Sequence, residues 1–323
     1  MRITQCFNPI ETFIRSFLSQ CFHALYTCLH INGSFDWDAL VDEHDVIGTG
    51  KYGQVCLYRR TDGTHCVVKT QTVHTRFEQE AKCLSMCNHP NIVPFLAHRI
   101  IGDDSQLAMA RCPGVELYEY IVSQEDDIPL NTAQHIVRQL LSTIAYLHEI
   151  HIMHRDIKPE NIVFDSQTNQ ITLIDFGFAR TFGNEHSIHM TCMGTAYYMA
   201  YEVVRHRRYT CKIDEWAAGV ILFILLYRYP PFFGDSDDDI YQRVLRKTIP
   251  FPNDVRSNQA SHCVTCLLHC NPAVRYSAKQ CLKLAWFEDS SAPTISHVLW
   301  RTHLSLFYVI YASHLFIYHI DNL

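Results

Sequence analysis

Hydrophobic positions recur every three or four residues in several stretches of the chain, and this period predicts helices. The clearest stretch is 131–150, where the pattern is typical of an amphipathic helix. A second helix is expected over 75–87. A third, from Asp214 through Leu226, is almost wholly apolar, but it is too short and too closely flanked by charge to span a bilayer.

Short runs rich in valine, isoleucine and aromatic residues, separated by turn residues, predict strands. These runs lie at 46–47, 55–58, 66–69, 107–110, 162–164 and 171–174. The last two flank a turn, so Asp175 is expected to end a strand, where a metal ligand would stand on a rigid platform. With 323 residues, the chain can form one large domain or two lobes around a cleft.

A glycine-rich turn joins the first two predicted strands. Its sequence reads Gly48-Thr49-Gly50-Lys51-Tyr52-Gly53-Gln54-Val55. Glycines allow the backbone to approach phosphate oxygens closely and to point N–H groups at them. The motif is weak alone, and the absence of a helix directly after it argues against a dinucleotide-binding fingerprint. Lys69 ends the next valine-rich strand and is expected to place a cation at the mouth of this hairpin.

Two acids, a lysine and an asparagine are concentrated in one short stretch and the loop that follows it. His154-Arg155-Asp156-Ile157-Lys158-Pro159-Glu160-Asn161 is followed by Asp175-Phe176-Gly177. Asp156 can orient the proton of an attacking hydroxyl, and Lys158 can neutralise charge on a phosphoryl group in transit. Asn161 and Asp175 offer the hard oxygen ligands that Mg²⁺ prefers. The stretch therefore predicts phosphoryl transfer.

Composition narrows the class of protein. Hydrophobic residues make up 48% of the chain and charged residues 19%, which is typical of a globular protein with a full core. The formal net charge of −6 gives no support to a nucleic-acid partner. The 14 cysteines are scattered, which favours a reducing compartment, and we expect an intracellular, cytoplasmic protein.

Two segments have spacings that superficially suggest metal sites. The acidic run 235–239 lacks the turn glycine and closing glutamate of a calcium loop, and we interpret it as the start of a helix. A zinc site is the alternative for a second segment, but its apolar helical pattern favours ordinary buried cysteines. The residues concerned are His262, Cys263, Cys266, His269 and Cys270.

Together these motifs resemble the eukaryotic-type serine/threonine protein kinases over about residues 40–289. The likeness is closest to the calmodulin-dependent and calcium-dependent protein kinase group. Four segments carry it: Glu116-Leu117-Tyr118-Glu119, Gly194-Thr195-Ala196-Tyr197-Tyr198, Gly219-Val220-Ile221-Leu222 and Tyr229-Pro230-Pro231-Phe232. The resemblance implies an α+β, bilobal protein kinase fold, with a β-rich N-lobe at 38–112 and a helical C-lobe at 113–289.

The activity implied by the resemblance is transfer of the ATP γ-phosphate to serine or threonine hydroxyls of proteins, with Mg²⁺ held by Asn161 and Asp175. The catalytic residues would be Asp156, Lys158, Lys69 and Glu80. The nucleotide-binding residues would be Gly48, Thr49, Gly50, Lys51, Tyr52, Gly53, Val55, Val68, Lys69, Ala110, Cys112, Glu116, Asn161 and Asp175.

Glu80, on the helix expected at 75–87, is the predicted partner of Lys69, and Glu78 is the alternative. Lys69 and Glu80 are 11 positions apart, which is shorter than usual in the family. A short connection leaves the helix less room to swing outward. We therefore expect a permanently formed ion pair.

Three further structural roles follow from the resemblance. Asp214 would brace the backbone of the catalytic loop, and Glu202 would form a buried ion pair with Arg275. Met109 would lie at the back of the adenine pocket.

Two expectations concern the surroundings of the nucleotide and the catalytic loop. The backbone of Ala110 to Cys112 would pair with the adenine edge. Arg155 would be available to hold a phosphate on the activation segment, 176–202, at Thr191.

The resemblance also suggests what the substrate looks like. Lys158 is typical of serine/threonine specificity, and Glu116, Glu119 and Glu160 resemble carboxylates that read basic residues upstream of the target hydroxyl. Calmodulin binding is not supported, because the tail lacks a basic amphipathic helix. There are also no EF-hand repeats after residue 290, so calcium regulation is not implied by the resemblance.

Two residues depart from the family pattern. Tyr201 replaces a proline and is expected to reshape the pocket for the residue after the phosphoacceptor. Val68 replaces a small alanine against the adenine, so we expect a tighter or shifted nucleotide.

The apolar terminal extensions, 1–37 and 290–323, leave alternatives open. The first has a helical period that favours packing on the domain or a partner, and a membrane-surface helix is the alternative. In the tail, 304–320 is at the lower limit for a bilayer span, so anchoring competes with packing on the C-lobe or a poorly ordered extension. For the whole protein, the rival function is a pseudokinase-type nucleotide-binding scaffold, which degenerate catalytic positions would favour; here they are intact.

Overall fold

A computed structural model describes residues 35–50, 53–72, 74–183, 195–253 and 256–288. The predictions on Lys51, Tyr52 and Thr191 lie outside these ranges. So do the predictions on the terminal segments, apart from 35–37, and on most of the activation segment.

An antiparallel five-stranded sheet lies in the N-terminal part of the described chain, with strand order β1-β2-β3-β5-β4. Its strands are β1 (Leu40–Gly50), β2 (Gly53–Arg60), β3 (His65–Gln71), β4 (Phe95–Ile101) and β5 (Asp104–Ala110). All four strands expected in this region are confirmed. However, β3 continues two residues beyond Lys69 to Gln71, so Lys69 lies inside the strand rather than at its end.

Five shorter strands surround the catalytic stretch. They form a three-stranded sheet, β6 (Val115–Glu116), β8 (Ile162–Asp165) and β9 (Gln170–Leu173), and a two-stranded one, β7 (Ile152–Met153) with β10 (Arg180–Thr181). The hairpin predicted before Asp175 is confirmed. Because β9 ends at Leu173, Asp175 follows the strand by two residues instead of ending it.

One helix lies between β3 and β4, and helices make up most of the described chain after β5. They are α1 (His74–Ser85), α2 (Leu117–Ser123), α3 (Leu130–Glu149), α4 (Tyr201–Val204), α5 (Lys212–Tyr227), α6 (Asp237–Leu245), α7 (Asn258–Leu267), α8 (Ala278–Cys281) and α9 (Ala285–Glu288), with 3₁₀ turns at Pro159–Asn161 and Ala196–Tyr198. The three helices predicted from periodicity correspond to α1, α3 and α5. Helix α5 is buried from Ile213 to Leu226, so the other C-lobe elements pack around it. None of the helices in the described ranges combines the length and apolar character needed to cross a membrane.

Both segments with metal-like spacing contain helices. Helix α6 begins inside the acidic run, where the Ser236 hydroxyl accepts a hydrogen bond from the Asp239 N–H at 3.2 Å. Helix α7 buries Cys263 and Cys266, as the helical interpretation predicts. Across the described residues, no group of three or more His, Cys, Asp or Glu side chains is arranged to hold a metal ion.

A buried ion pair joins α4 to the segment after α7. The Arg275 guanidinium donates to both oxygens of Glu202, each at 2.8 Å, and also to the backbone carbonyls of His269 and Lys212. Both charged side chains are almost fully enclosed. The predicted pair is therefore confirmed, and its bidentate geometry is the strong form of an arginine–carboxylate interaction.

Replacing Arg275 with methionine is expected to lower the free energy of unfolding by about 3–5 kcal/mol, because it leaves the Glu202 carboxylate buried without its cation. Urea denaturation measures the loss. Lys279→Met is the matched control: its ion pair with Glu149 is exposed, so its loss should stay within about 1 kcal/mol. Equal small losses in the two variants would contradict the structural role of the buried pair.

Candidate active site

The backbone of the catalytic loop is fixed by one carboxylate on the buried helix α5. Asp214 Oδ2 accepts the His154 N–H and Oδ1 accepts the Arg155 N–H, both at 2.9 Å. This confirms the bracing role predicted for Asp214. Burial would raise the pKa of this carboxyl, but the hydrogen bond and charge of His148 outweigh it and hold the pKa below its usual range.

Arg155 has a strained backbone that this brace supports. Its φ of 69° is in the left-handed region, which costs a non-glycine residue about 1–3 kcal/mol. Its side chain donates from Nε to the Phe178 carbonyl at 2.7 Å and from Nη1 to the Tyr209 hydroxyl at 3.2 Å. The guanidinium therefore reaches the loop after Asp175. Its role toward a phosphate on Thr191 stays a prediction.

Asp156 lies at the centre of a compact polar cluster. The Asn161 Nδ2 donates to Asp156 Oδ2 at 2.9 Å and to the Asp156 carbonyl at 2.7 Å. Lys158 Nζ lies 3.2 Å from the same Oδ2. Because the amide nitrogen of Asn161 is committed to Asp156, its carbonyl oxygen is the atom left to accept a cation.

A second cluster joins the sheet to the loop that carries Asp175. Lys69 Nζ donates to Glu80 Oε1 at 2.7 Å and to Asp175 Oδ1 at 3.0 Å, while the alternative partner Glu78 is exposed. Burial disfavours the charged ammonium, but the two carboxylates outweigh this effect and raise the pKa of Lys69. For Asp175, the charge of Lys69 and the Gly177 N–H outweigh burial and lower its pKa. Both groups are therefore charged at neutral pH.

Gln71 also contacts this second cluster, and sequence reasoning missed it. Its Nε2 donates to Glu80 Oε2 at 3.0 Å. The only available signal was its place two residues after Lys69, because alternate residues of a strand share a face. That signal required knowing that the strand continues past Lys69.

The same alternation corrects the prediction for Val68. Val68 lies opposite Ala108 and packs with Cys66 and Leu96 on the face of the sheet away from Lys69. Val67 instead shares the face of Lys69. It is paired with Met109, the residue expected at the back of the adenine pocket. The expectation that Val68 contacts the adenine is therefore wrong by one residue, which in a strand reverses the face.

The glycine-rich turn forms the end of the β1–β2 hairpin, with Gly48 opposite Val55, Thr49 opposite Gln54 and Gly50 opposite Gly53. Gly53 has a φ of 150° and lies against the Thr70 carbonyl, so a Cβ there would collide with the β3 backbone. This position requires glycine.

The predicted adenine-facing segment is only partly free to bind. The Ala110 N–H already donates to the Pro94 carbonyl at 3.0 Å. A nucleotide would therefore have to use the Ala110 carbonyl and the backbone up to Cys112. The Cys112 side chain is half-buried, and burial raises the pKa of its thiol to about 12, so it is present as a thiol.

Acidic groups lie on the outer side of the catalytic loop. Glu116 and Glu119 are exposed at the start of α2. Partial burial, followed by the charges of Glu119 and Glu160, raises the pKa of Glu116. Glu160 Oε2 is buried and lacks a hydrogen-bond partner among the described residues.

Tyr201 is not among the residues that line the cavity beside Asp156. That cavity is lined by Arg155, Asp156, Ile157, Thr195, Tyr198, Met199, Ala200, Val203, Ile213, Asp214 and Ala217. The Tyr201 ring instead lies near two cations, with its centroid 5.8 Å from Arg205 Cζ and 5.3 Å from Lys247 Nζ. Its effect on the pocket after the phosphoacceptor stays a prediction.

A buried histidine behind the catalytic loop is a second feature that sequence reasoning missed. His148 Nε2 lies 2.9 Å from Asp214 Oδ2, and Nδ1 lies 3.3 Å from Glu215 Oε1. An acceptor at each ring nitrogen requires a hydrogen on each, so the imidazole is charged. Burial opposes this charge, but the hydrogen bonds to Asp214 and Glu215 outweigh it and raise the pKa of His148 well above its ordinary value. The available sequence signal was the pair of adjacent acids, Asp214 and Glu215, at the start of an apolar helix, because two buried carboxylates need a cation nearby.

Comparisons with known proteins agree with this geometry. The family model described as "Protein kinase domain" matches residues 41–287. A probable myosin light chain kinase of Dictyostelium discoideum is 31% identical over 282 residues, which covers 83% of this chain and 89% of that protein. Calcium/calmodulin-dependent protein kinase type 1 of Caenorhabditis briggsae is 30% identical over 81% of this chain and 76% of its own length.

Other relatives are longer than this chain. Calcium-dependent protein kinase 5 of Plasmodium falciparum is 31% identical over 78% of the chain, but the match spans only 46% of that protein. The similarity therefore concerns the kinase domain.

The paired His148 predicts a pH dependence of stability. The pKa of His148 is higher in the folded than in the unfolded chain. Protonation of His148 therefore contributes fully to the free energy of unfolding at pH values below the pKa of the unfolded chain, and this contribution is lost as the pH rises through the pKa of the folded chain. The difference in free energy of unfolding between wild type and His148→Gln should therefore be largest near about pH 6 and shrink on the alkaline side. Urea denaturation over a pH series measures it.

His65→Gln is the control, since His65 is an exposed histidine on β3. Its stability difference from wild type should be small throughout the series. A His148→Gln difference that stays constant or grows with pH would contradict the charged imidazole.

Proposed function

The chain belongs to the protein kinase family and, as a member, is an ATP-dependent serine/threonine kinase; we propose that its protein substrates carry basic residues upstream of the target hydroxyl. We also propose specific roles for the residues of the two clusters. The observation that carries the assignment is the joint placement of Asp156, Asn161 and Lys158 with Lys69 and Asp175, since every polar group required for phosphoryl transfer is present.

The residues fit ATP with Mg²⁺ on chemical grounds. The β1–β2 hairpin ends in glycines that allow phosphate oxygens to approach the backbone, and Lys69 supplies a cation beside it. The Asn161 carbonyl and the ionised Asp175 carboxylate are the hard oxygen donors that Mg²⁺ prefers. Mg²⁺ held there would neutralise charge on the transferring phosphoryl group.

In the proposed mechanism this chain contributes mainly positioning and electrostatics. Asp156, oriented by the Asn161 amide, receives the substrate hydroxyl and aligns it for attack. Lys158, 3.2 Å from Asp156, stabilises the phosphoryl group in transit. Lys69 holds the phosphates, and Glu80 fixes the position of its ammonium.

Three carboxylates support the proposed preference for basic substrates. Burial, followed by the charges of Glu119 and Glu160, raises the pKa of Glu116, which places the three carboxylates close enough together to form a negatively charged region. In the part of the chain that the structure describes, Glu160 Oε2 has no hydrogen-bond partner, so it is available to accept from a guanidinium or ammonium of the substrate.

We further propose an intracellular location. The cysteines in the described ranges are free thiols, as expected in a reducing compartment.

Asp156→Asn is expected to lower phosphate transfer to a basic peptide library by about a hundredfold or more, because the amide cannot accept the hydroxyl proton. Transfer from radiolabelled ATP measures it. Asp165→Asn is the matched control, since Asp165 closes only the β8–β9 turn through Gln167 and Thr168. Transfer no higher than the no-enzyme background by both wild type and Asp156→Asn would instead indicate the nucleotide-binding scaffold.

Glu160→Gln is expected to raise KM for a peptide with upstream arginines by about tenfold, through loss of a charge-assisted hydrogen bond. KM for the same peptide with alanines at those positions should not change. Glu149→Gln removes an exposed carboxylate on α3 and serves as the control. An equal effect on both peptides would rule out a charge-reading role for Glu160.

A further inference from the structure

Gln71 is a buried polar residue in the sheet, and its amide contacts the glutamate that fixes Lys69. The Gln71 side chain is 6% exposed and the Glu80 side chain 2%. We propose that Gln71 is a positioning residue that keeps Glu80 and helix α1 docked on the sheet in the nucleotide-free enzyme. The proposal concerns regulation of the site and rests on the proposed kinase function.

The two carboxylate oxygens of Glu80 accept from different donors. Lys69 and Gln71 lie two residues apart on β3 and therefore on one face. Lys69 donates to Oε1 at 2.7 Å and Gln71 to Oε2 at 3.0 Å. Glu80 is held by two independent donors from one rigid strand.

Of the two donors to Glu80, Lys69 is shared with a second acceptor. Lys69 also donates to Asp175, and in the proposed mechanism its charge is directed toward phosphates. The Gln71 amide is neutral, so a nucleotide does not draw it away from Glu80. Gln71 therefore keeps Glu80 in place whether or not Lys69 is engaged elsewhere.

The helix that carries Glu80 packs on the core through apolar side chains. Phe77, Ala81 and Leu84 recur on the same side of α1 and are buried in the main hydrophobic core. Glu80 lies on this inward face. Outward movement of α1 would expose these apolar side chains and would leave the Gln71 amide without its acceptor inside the sheet.

The connection between β3 and α1 is short. Strand β3 ends at Gln71 and α1 begins at His74, so only residues 72 and 73 separate them. The three residue steps from Gln71 to His74 span at most about 11 Å. The start of the helix is therefore confined near the end of β3. The Gln71–Glu80 hydrogen bond holds the helix at a second point, about one and a half turns after its start.

Hydrogen exchange of the nucleotide-free protein tests the proposal without turnover. In Gln71→Met, an apolar side chain of similar length leaves Glu80 Oε2 without a donor. Amides of 77–85 should then exchange about fivefold faster or more, while those of α3 should not change. Gln106→Met on the neighbouring strand β5 is the control, since the Gln106 amide oxygen accepts from Arg99, away from the site.

The kinetic signature is a split between KM and kcat. If α1 is docked in only a fraction of the free enzyme molecules, the apparent affinity for ATP is the intrinsic affinity multiplied by that fraction. Bound nucleotide then restores the docked position of α1. KM for ATP in Gln71→Met should rise severalfold with kcat changing less. A loss of kcat alone would indicate a general structural defect.

Gln71→Glu provides a pH readout that a purely structural role would not show. The introduced carboxyl can donate to Glu80 only while it carries a proton. The charged groups facing it are Glu80, Lys69 and Asp175. Relative to wild type at the same pH, exchange of α1 should be accelerated at alkaline pH and approach the wild-type rate at acid pH.

If Gln71→Met does not fold, the Gln71→Glu series alone carries the test. Wild-type exchange rates in α1 of both variants at every pH would overturn the proposal. Hydrogen exchange is measured without substrate. An inactive wild type would therefore contradict the proposed function, while the exchange rates would still test the role of Gln71.

Discussion

The carboxylate of Asp214 is the constraint on which the catalytic centre depends. Both of its oxygens are occupied, by the His154 and Arg155 N–H groups and by the His148 ring. Burying a charge is costly unless it is paired and hydrogen-bonded, and here a charged imidazole and two amides meet that requirement. The left-handed backbone of Arg155 persists because of these bonds, and it directs the next residue, Asp156. The conformation of the catalytic loop is thus determined by a buried helix rather than by the loop's own sequence.

The opposite side of the centre is organised by strand β3. Its Lys69 bridges Glu80 on α1 and Asp175 on the loop after β9. The opposing shifts of pKa in Lys69 and Asp175 keep both charged, so the groups are oriented before a nucleotide enters. Preorganised charge of this kind needs little rearrangement during reaction. The sheet and the buried helix α5 therefore position different parts of one site.

Sequence reasoning predicted elements well where the pattern is local. Helices α1, α3 and α5 follow from a period of three to four residues. The Glu202–Arg275 pair is not local, since its members are 73 positions apart, and it was implied by the family resemblance. The prediction that Val68 contacts the adenine was wrong, because an error of one residue in a strand places the side chain on the opposite face of the sheet. Gln71 and the His148–Glu215 contact were missed for another reason: a polar residue shows its burial only when the packing of distant elements is known.

Glu160 differs from the carboxylates that hold the fold together. Glu202 and Asp214 have donors on both oxygens, whereas Glu160 Oε2 is buried without a partner in the described residues. Glu215 also has a partnerless oxygen, but it is enclosed in α5, whereas Glu160 is only half-buried. An unsatisfied buried acceptor costs about 1–3 kcal/mol, and a substrate cation that bonds it would recover that energy on binding. In the proposed preference for basic substrates, the substrate charge would thus be recognised by a carboxylate oxygen that has no partner within the described part of the protein. The catalytic geometry, in contrast, depends on carboxylates whose oxygens are all hydrogen-bonded.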